Sequence, residues 1–148
     1  MKKLKIPPFY LLISVLSIVL LSKYFPVIEF DREKFKMLSL LILLTGISLL
    51  SISSSLFTKH KTPIKPFKES THLITTGIYK YSRNPIYLGM VLILIGVGIY
   101  MGAGSSLFVV LIFIYFIRKD FVIKEEAFLL ELFGEEYKNY KEKVRRWF

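Results

Sequence analysis

Residues 84–117 read NPIYLGMVLILIGVGIYMGAGSSLFVVLIFIYFI and carry no charged side chain. The run is too long for one helix across a hydrocarbon core of about 30 Å, and Gly-Ala-Gly-Ser-Ser at 102–106 interrupts it. We therefore predict two short helices joined by a tight turn, with one long tilted helix as the alternative. Asn84 and Pro85 are favoured residues at a helix N-cap and at the first helical position, so they predict the start of the first helix.

Two more uncharged runs precede this one, at 6–22 and 37–57. The first follows a basic start, as in a signal peptide, but no cleavage site of small residues precedes Lys23, so a retained helix is expected. The sequence thus predicts an all-α integral membrane protein with a single domain, 1–148. We expect four transmembrane helices at 6–22, 37–57, 84–101 and 105–118, a cytoplasmic segment at 58–83, and a cytoplasmic helical tail at 119–148.

Composition agrees with a membrane protein and excludes several functions. Hydrophobic residues make up 53% of the chain. The absence of cysteine excludes disulfides and a cysteine nucleophile, and two isolated histidines, His60 and His72, make a poor metal site, so no metal is expected. The net charge of +10 comes from basic residues that flank apolar runs. We expect them to meet anionic lipid headgroups and not nucleic acid.

The distribution of basic residues predicts the orientation. With four spans, the amino end, the 58–83 segment and the tail lie on one side and carry seventeen lysines and arginines, whereas the 23–36 connector carries four. Under the positive-inside rule, the side with seventeen is cytoplasmic. Both termini are therefore expected in the cytoplasm.

Two tracts rich in polar aromatic residues are expected side by side at the cytoplasmic surface. The tract 77–89 is basic and enters the third span, and the tract 118–137 is acidic and leaves the fourth. A tight hairpin between those spans makes the tracts neighbours, so they would form a pocket at the membrane surface. At the end of the tail, 145–148 reads Arg-Arg-Trp-Phe, a composition typical of an interface anchor.

The residues of these tracts resemble a known family. The pattern is Gly77-x-Tyr79-x-x-x-Arg83-Asn84-Pro85-x-Tyr87-x-Gly89, followed by Glu125-Glu126-x-x-Leu129-x-x-x-Phe133-Gly134-x-x-Tyr137. It is similar to the isoprenylcysteine carboxyl methyltransferase and phospholipid methyltransferase group, over about half of the chain. The resemblance implies a membrane enzyme that moves a methyl group from S-adenosylmethionine to a lipophilic acceptor. A prokaryotic-type member in the cell membrane is expected, because asparagine at position 84 is familiar in prokaryotic relatives.

The resemblance also implies roles for individual residues. A sulfonium is a soft cation that the aromatic faces of Tyr79 and Tyr87 can hold. Arg83 could pair with the methionine carboxylate or anchor the helix at the interface, and Glu126 or Glu125 could take the proton of an amine acceptor. The positions that match the family's cofactor contacts are Thr71, His72, Leu73, Ile74, Tyr79, Asn84, Pro85, Ile86, Tyr87 and Glu125.

One departure from the family concerns the acceptor. The eukaryotic enzymes place a substrate-binding arginine four residues before the cofactor glutamate, where this chain has Phe121. Arg118, seven residues before Glu125, lies on the same helical face and could substitute. Two alternatives to a methyltransferase stay open: an NADPH-dependent membrane reductase of the sterol-reductase type, which has a similar Arg-x-Pro-x-Tyr corner, and a non-catalytic small membrane protein.

Overall fold

The chain is described by a computed structural model at residues 6–63 and 72–147. These residues form helices joined by short connections, and the one bridge of β type among them is the isolated pair Glu29 and Ala103. The prediction of an all-α fold is thus confirmed for the described part of the chain. The helices are α1 (Pro7–Tyr24), α2 (Arg32–Lys59), α3 (Pro85–Met101), α4 (Ser106–Ile117), α5 (Ile123–Phe133) and α6 (Glu135–Lys143).

Two of these helices, α1 and α2, are long and apolar enough to cross a membrane, and α3 is a shorter apolar helix. The predicted four-span topology stays a prediction. Apolar side chains on the outer faces of the helices are exposed, which suits contact with lipid. They include Leu12, Leu16 and Leu20 of α1, Leu41 and Leu44 of α2, and Leu107, Phe108 and Leu111 of α4.

Helix α3 is the centre of the bundle. It packs along α2 on one side and against α1 and α4 on the other, and its Leu94 is fully buried. Glycines allow the contact with α2: a Cβ on Gly46 would lie 2.8 Å from the Gly89 carbonyl oxygen, and one on Gly96 would lie 2.9 Å from the Leu43 nitrogen. The backbones of α2 and α3 can therefore approach closely only because these positions carry no side chain.

The run 84–117 folds as two helices joined by a turn. Helix α3 ends at Gly102, which has a φ of +70°. Gly98 faces α4 rather than α2, since a Cβ there would lie 2.7 Å from the Cβ of Ser106. The turn is held from outside by the α1–α2 connector: the Phe30 nitrogen donates to the Gly102 carbonyl and the Gly104 nitrogen to the Ile28 carbonyl.

Helix α4 does not end where the tail begins. A π turn, Arg118–Val122, joins α4 to α5, so the backbone stays helical from Ser106 to Phe133. The π turn packs on α1: the Tyr10 hydroxyl donates to Asp120 at 2.8 Å, and the Tyr10 ring meets the buried Phe121 ring edge to face at 5.3 Å. Such turns are rare and frequently lie at functional sites. Here the turn immediately precedes Glu125 and Glu126.

Candidate active site

A cavity of about 380 Å³ lies where α2 ends, α3 begins and α5 begins. Its volume is within the usual range for a small-molecule site. Most of the residues predicted to contact a cofactor or take part in catalysis line it. These are His72, Leu73, Ile74, Tyr79, Arg83, Asn84, Ile86, Tyr87, Glu125 and Glu126.

Three predicted residues are not among those that line the cavity. Thr71 lies outside the described residues. Pro85 is buried at the first position of α3, where its ring fixes the helix start. Arg118 is exposed in the π turn, and its predicted role at an acceptor carboxylate stays a prediction without a cavity contact.

Tyr87 and Glu125 join the two halves of the motif. The Tyr87 hydroxyl, on the first turn of α3, donates to Glu125 on the first turn of α5 at 2.9 Å. Burial raises the pKa of the Glu125 carboxyl to about 7, and the neighbouring Glu126 charge adds to this, whereas the hydrogen bond from Tyr87 opposes it. Glu125 is therefore a carboxyl group that titrates near neutral pH inside the cavity.

Tyr79 forms a second wall. It lies in a single 3₁₀ turn, Gly77–Lys80, and its ring meets Phe57 of α2 at 5.9 Å. The Tyr140 hydroxyl on α6 donates to the Tyr79 carbonyl at 2.7 Å. Burial raises the pKa of both phenols, so both stay protonated at neutral pH.

A cluster of three charged residues, of which two are buried and one is partly exposed, lies beside Glu125. Glu126 accepts two hydrogen bonds from the Arg146 guanidinium, at 2.9 and 2.7 Å, and its Oε1 lies 3.2 Å from Nη2 of Arg83. Burial by itself would raise the pKa of Glu126, but the hydrogen bond from Arg146 and the positive charges around it outweigh burial and hold the pKa below its ordinary value. Glu126 is thus ionised at neutral pH.

The end of the tail is part of this site, which the sequence did not reveal. The Arg83 nitrogen donates to the Arg145 carbonyl, and the Ser82 hydroxyl and the Asn84 side-chain amide both donate to the Arg146 carbonyl at 3.2 Å. Asn84 is the N-cap residue of α3, as predicted, but its side chain makes no hydrogen bond to the start of that helix and binds the tail instead.

Arg146 was interpreted as part of an interface anchor, and its actual partner is Glu126, twenty positions away. The one signal in the sequence was that a glutamate expected in a closed pocket needs a cation as its partner. Nothing in the spacing of the residues indicated which of the eight basic residues of the tail that cation is. No group of three metal-ligating side chains occurs within residues 6–63 and 72–147.

Glu125 predicts a pH dependence of stability. Its folded pKa lies above its value in an unfolded chain, so the native state binds this proton more tightly, and stability from this group falls as pH rises from about 4.5 to about 7. The slope is at most about 1.4 kcal/mol per pH unit. Thermal unfolding in detergent from about pH 5 to about pH 8 should show the wild type losing stability relative to Glu125→Gln.

The paired Glu126 does not obscure this measurement. Its pKa is lowered, so its contribution is lost only at a pH below the ordinary range of a glutamate. Parallel curves for the wild type and Glu125→Gln across this range would contradict the raised pKa.

Comparison with known proteins agrees with this geometry. A profile of the phospholipid methyltransferase family matches residues 35–136, which include all but the first three residues of α2 and the whole of α3, α4 and α5. The chain belongs to this family. The resemblance stated from the motifs is thereby confirmed, and the chain is identified as a member of a family of methyltransferase enzymes.

The names of relatives in the family state different methyl acceptors. Protein-S-isoprenylcysteine O-methyltransferase of Saccharomyces cerevisiae is 38% identical over 82 residues, 55% of this chain and 34% of the yeast protein. Methanethiol S-methyltransferase 1 of Bradyrhizobium diazoefficiens is 39% identical over 70 residues, 47% of this chain and 24% of that protein. The chain thus spans about a third or less of these two relatives. An uncharacterized protein of Haemophilus influenzae is 40% identical over 62 residues, 42% of this chain and 98% of its own length. No solved structure matches the chain significantly.

Proposed function

We propose that this chain is an integral membrane methyltransferase that moves the methyl group of S-adenosylmethionine to a lipophilic acceptor at the cytoplasmic face of the membrane. The observation that carries the proposal is the contact between Tyr87 and Glu125. It joins two half-motifs that are far apart in the sequence at one cavity, and the family profile covers the first of them and the second up to residue 136. Ordinary interface anchoring by tyrosine and arginine does not require such a contact.

The residues of the cavity fit a sulfonium cofactor that carries an amino acid and an adenosine. The Tyr79 and Tyr87 rings offer aromatic faces to a soft cation, and Glu125 can accept hydrogen bonds from an ammonium or a ribose hydroxyl. Arg83 brings a buried guanidinium with two unpartnered nitrogen atoms within the described residues. When bound, S-adenosylmethionine supplies a methyl group that is already activated.

The chemistry left to the chain is positioning and exclusion of water. Methyl transfer is an in-line displacement, so holding the acceptor atom in line with the methyl group converts a bimolecular step into an intramolecular one. The buried walls formed by Tyr79, Tyr137 and Tyr140 keep water from competing with the acceptor. If the acceptor is an amine, Glu125 is placed to take its proton, since its carboxyl titrates near pH 7.

The acceptor end of the cavity is apolar. The start of α1 contributes Ile6, Pro7 and Pro8, α2 contributes Leu50, and α5 contributes Phe128 and Leu129. Phe121, which stands where related enzymes have the substrate arginine, is 2% exposed and packs on Tyr10 and Tyr87. An apolar acceptor that enters from the bilayer suits this lining, whether its reacting group belongs to a lipid or to an isoprenylcysteine carboxylate.

Calorimetric measurement of ligand binding in detergent tests the proposal. S-adenosylhomocysteine should bind the wild type, and NADPH, the cofactor of the alternative reductase, should not. Glu125→Ala and Tyr87→Ala should each weaken S-adenosylhomocysteine binding by about 10- to 100-fold, the range of a lost hydrogen bond to a charged group.

Two matched variants serve as controls. Tyr81→Ala removes a tyrosine that precedes α3 and is 69% exposed, and Glu131→Ala removes an exposed glutamate of α5, the helix that carries Glu125. Both should bind as the wild type does. Unchanged affinity in Glu125→Ala and Tyr87→Ala, or preferential binding of NADPH, would refute the proposed function.

A further inference from the structure

The Arg83 guanidinium is only partly satisfied by protein. Its side chain is 7% exposed, and its Nη2 lies 3.2 Å from Glu126. Its Nε and Nη1 are buried and have no hydrogen-bond partner among the residues that the structure describes. Buried donors without a partner cost free energy, so native proteins almost always provide one. Because Arg83 lines the cavity, the missing partner of these donors can be a ligand in the cavity.

The charges around Arg83 indicate which ligand. Glu126 is one carboxylate shared by two guanidinium groups, and Arg146 binds it with two nitrogen atoms. The cluster of Arg83, Glu126 and Arg146 therefore has one positive charge in excess. A buried excess charge is stabilised by an anion, and a carboxylate is the anion that fits the fork of an arginine best.

Glu125 lines the same cavity and has the opposite preference. It can accept hydrogen bonds from a cation, and its one side-chain hydrogen bond among the described residues comes from Tyr87. One wall thus offers an excess positive charge and another a carboxylate. This pair of groups is complementary to the carboxylate and the ammonium of a free α-amino acid.

We propose that Arg83 binds the carboxylate of the amino-acid part of the cofactor, and that Arg146 is the positioning residue that keeps Arg83 available for it. This inference rests on the proposed function. Arg146 binds both oxygens of Glu126, so Glu126 shares its single charge between two guanidinium groups and neutralises Arg83 only in part. Without Arg146, Glu126 would turn both oxygens to Arg83, and the attraction of Arg83 for a ligand carboxylate would fall.

The inference is tested with two ligands that differ by one carboxylate. S-adenosylhomocysteine carries the carboxylate and the ammonium, and its decarboxylated analogue, 5′-deoxy-5′-(3-aminopropylthio)adenosine, carries the ammonium alone. The wild type should prefer S-adenosylhomocysteine by about 10- to 100-fold, the range of a charge-assisted hydrogen bond. Arg83→Gln should reduce this preference to less than about 3-fold by weakening only S-adenosylhomocysteine binding.

Arg146→Gln should reduce the same preference, although Arg146 does not line the cavity. If Arg146 served only to fold the chain, its loss would weaken the binding of both ligands equally and leave the ratio of their affinities unchanged. Lys143→Gln is the matched control, because Lys143 is an exposed cation of the same tail, and it should keep the wild-type ratio. Arg83→Lys, which keeps the charge, should recover part of the preference lost in Arg83→Gln.

The outcomes separate this subsite from the function on which it rests. If the wild type binds neither ligand, the proposed function is refuted and the subsite with it. If both ligands bind and the ratio is the same in the wild type, Arg83→Gln and Arg146→Gln, the subsite is refuted and the function stands. A ratio that falls in Arg83→Gln alone would remove Arg146 from the proposal. If Arg83→Gln does not fold, the ratio is measured in Arg146→Gln and Arg83→Lys instead. Arg146 is 29% exposed, so we expect Arg146→Gln to fold.

Discussion

Glu126→Gln should lower the free energy of unfolding by about 3–5 kcal/mol, the cost of removing one partner from a buried ion pair. Glu126 is the only carboxylate that contacts the Arg83 and Arg146 guanidinium groups within the described residues. Glutamine keeps the shape of the side chain and removes its charge. Arg83 is then left charged and buried without a counterion, and repulsion between the two arginines adds to the loss.

Thermal unfolding in detergent measures this effect. Glu131→Gln makes the same change at an exposed position of α5. Its transition temperature should equal that of the wild type. The change in Glu126→Gln should also loosen the tail, because this ion pair is one of the contacts that hold it, beside the hydrogen bonds from Ser82 and Asn84. Faster proteolysis of the residues after α6 would report that release. Equal transition temperatures for Glu126→Gln and Glu131→Gln would show that the cluster does not stabilise the fold.

Gly46→Val should have a comparable effect through packing. A Cβ at this position would lie 2.8 Å from both the Gly89 carbonyl oxygen and the Ile93 nitrogen, and backbone atoms of a helix cannot move aside singly. Helix α2 must therefore shift away from α3. Overpacking of this kind costs about 1–3 kcal/mol or more. Because α2 also carries Leu50, Ser54 and Phe57 to the cavity, the affinity for S-adenosylhomocysteine should fall together with stability.

Ser51→Val is the control for this prediction. It places a β-branched apolar side chain at an exposed position of the same helix. Its transition temperature and ligand affinity should equal those of the wild type. If Gly46→Val behaved as Ser51→Val does, the close approach of α2 and α3 would not be needed for the fold.

The tail and the 82–84 corner form one unit, which closes one side of the cavity. The corner supplies Ser82 and Asn84 as donors to the backbone of the tail, and the tail returns Arg146 to Glu126. Trp147 packs against the core of the bundle beyond this contact. A residue of the tail can therefore influence the cavity without touching a ligand.

The sequence by itself determined the helices, the turn at 102–106 and the family, because these depend on local information. Uncharged runs predict apolar helices, glycines predict close packing, and the ordered motif of 77–89 and 125–137 is characteristic of the family. The same motif placed Tyr79, Tyr87 and Glu125 in one pocket before the structure did. Helix boundaries agree within a few residues for α1, α3 and α4, whereas α2 is longer at both ends than the apolar run that predicted it.

Only the tertiary structure decided which polar groups are partners. Arg146 binds Glu126, the Asn84 amide binds the tail rather than its own helix, and Arg118 does not line the cavity that Arg83 lines. The physical reason is that such contacts join residues about 20 to 60 positions apart through the path of the chain, and no periodicity of the sequence records that path. A basic residue near a membrane is compatible with an anchor and with a buried ion pair, and the carboxylate that lies within 3 Å of Arg146 decides between them.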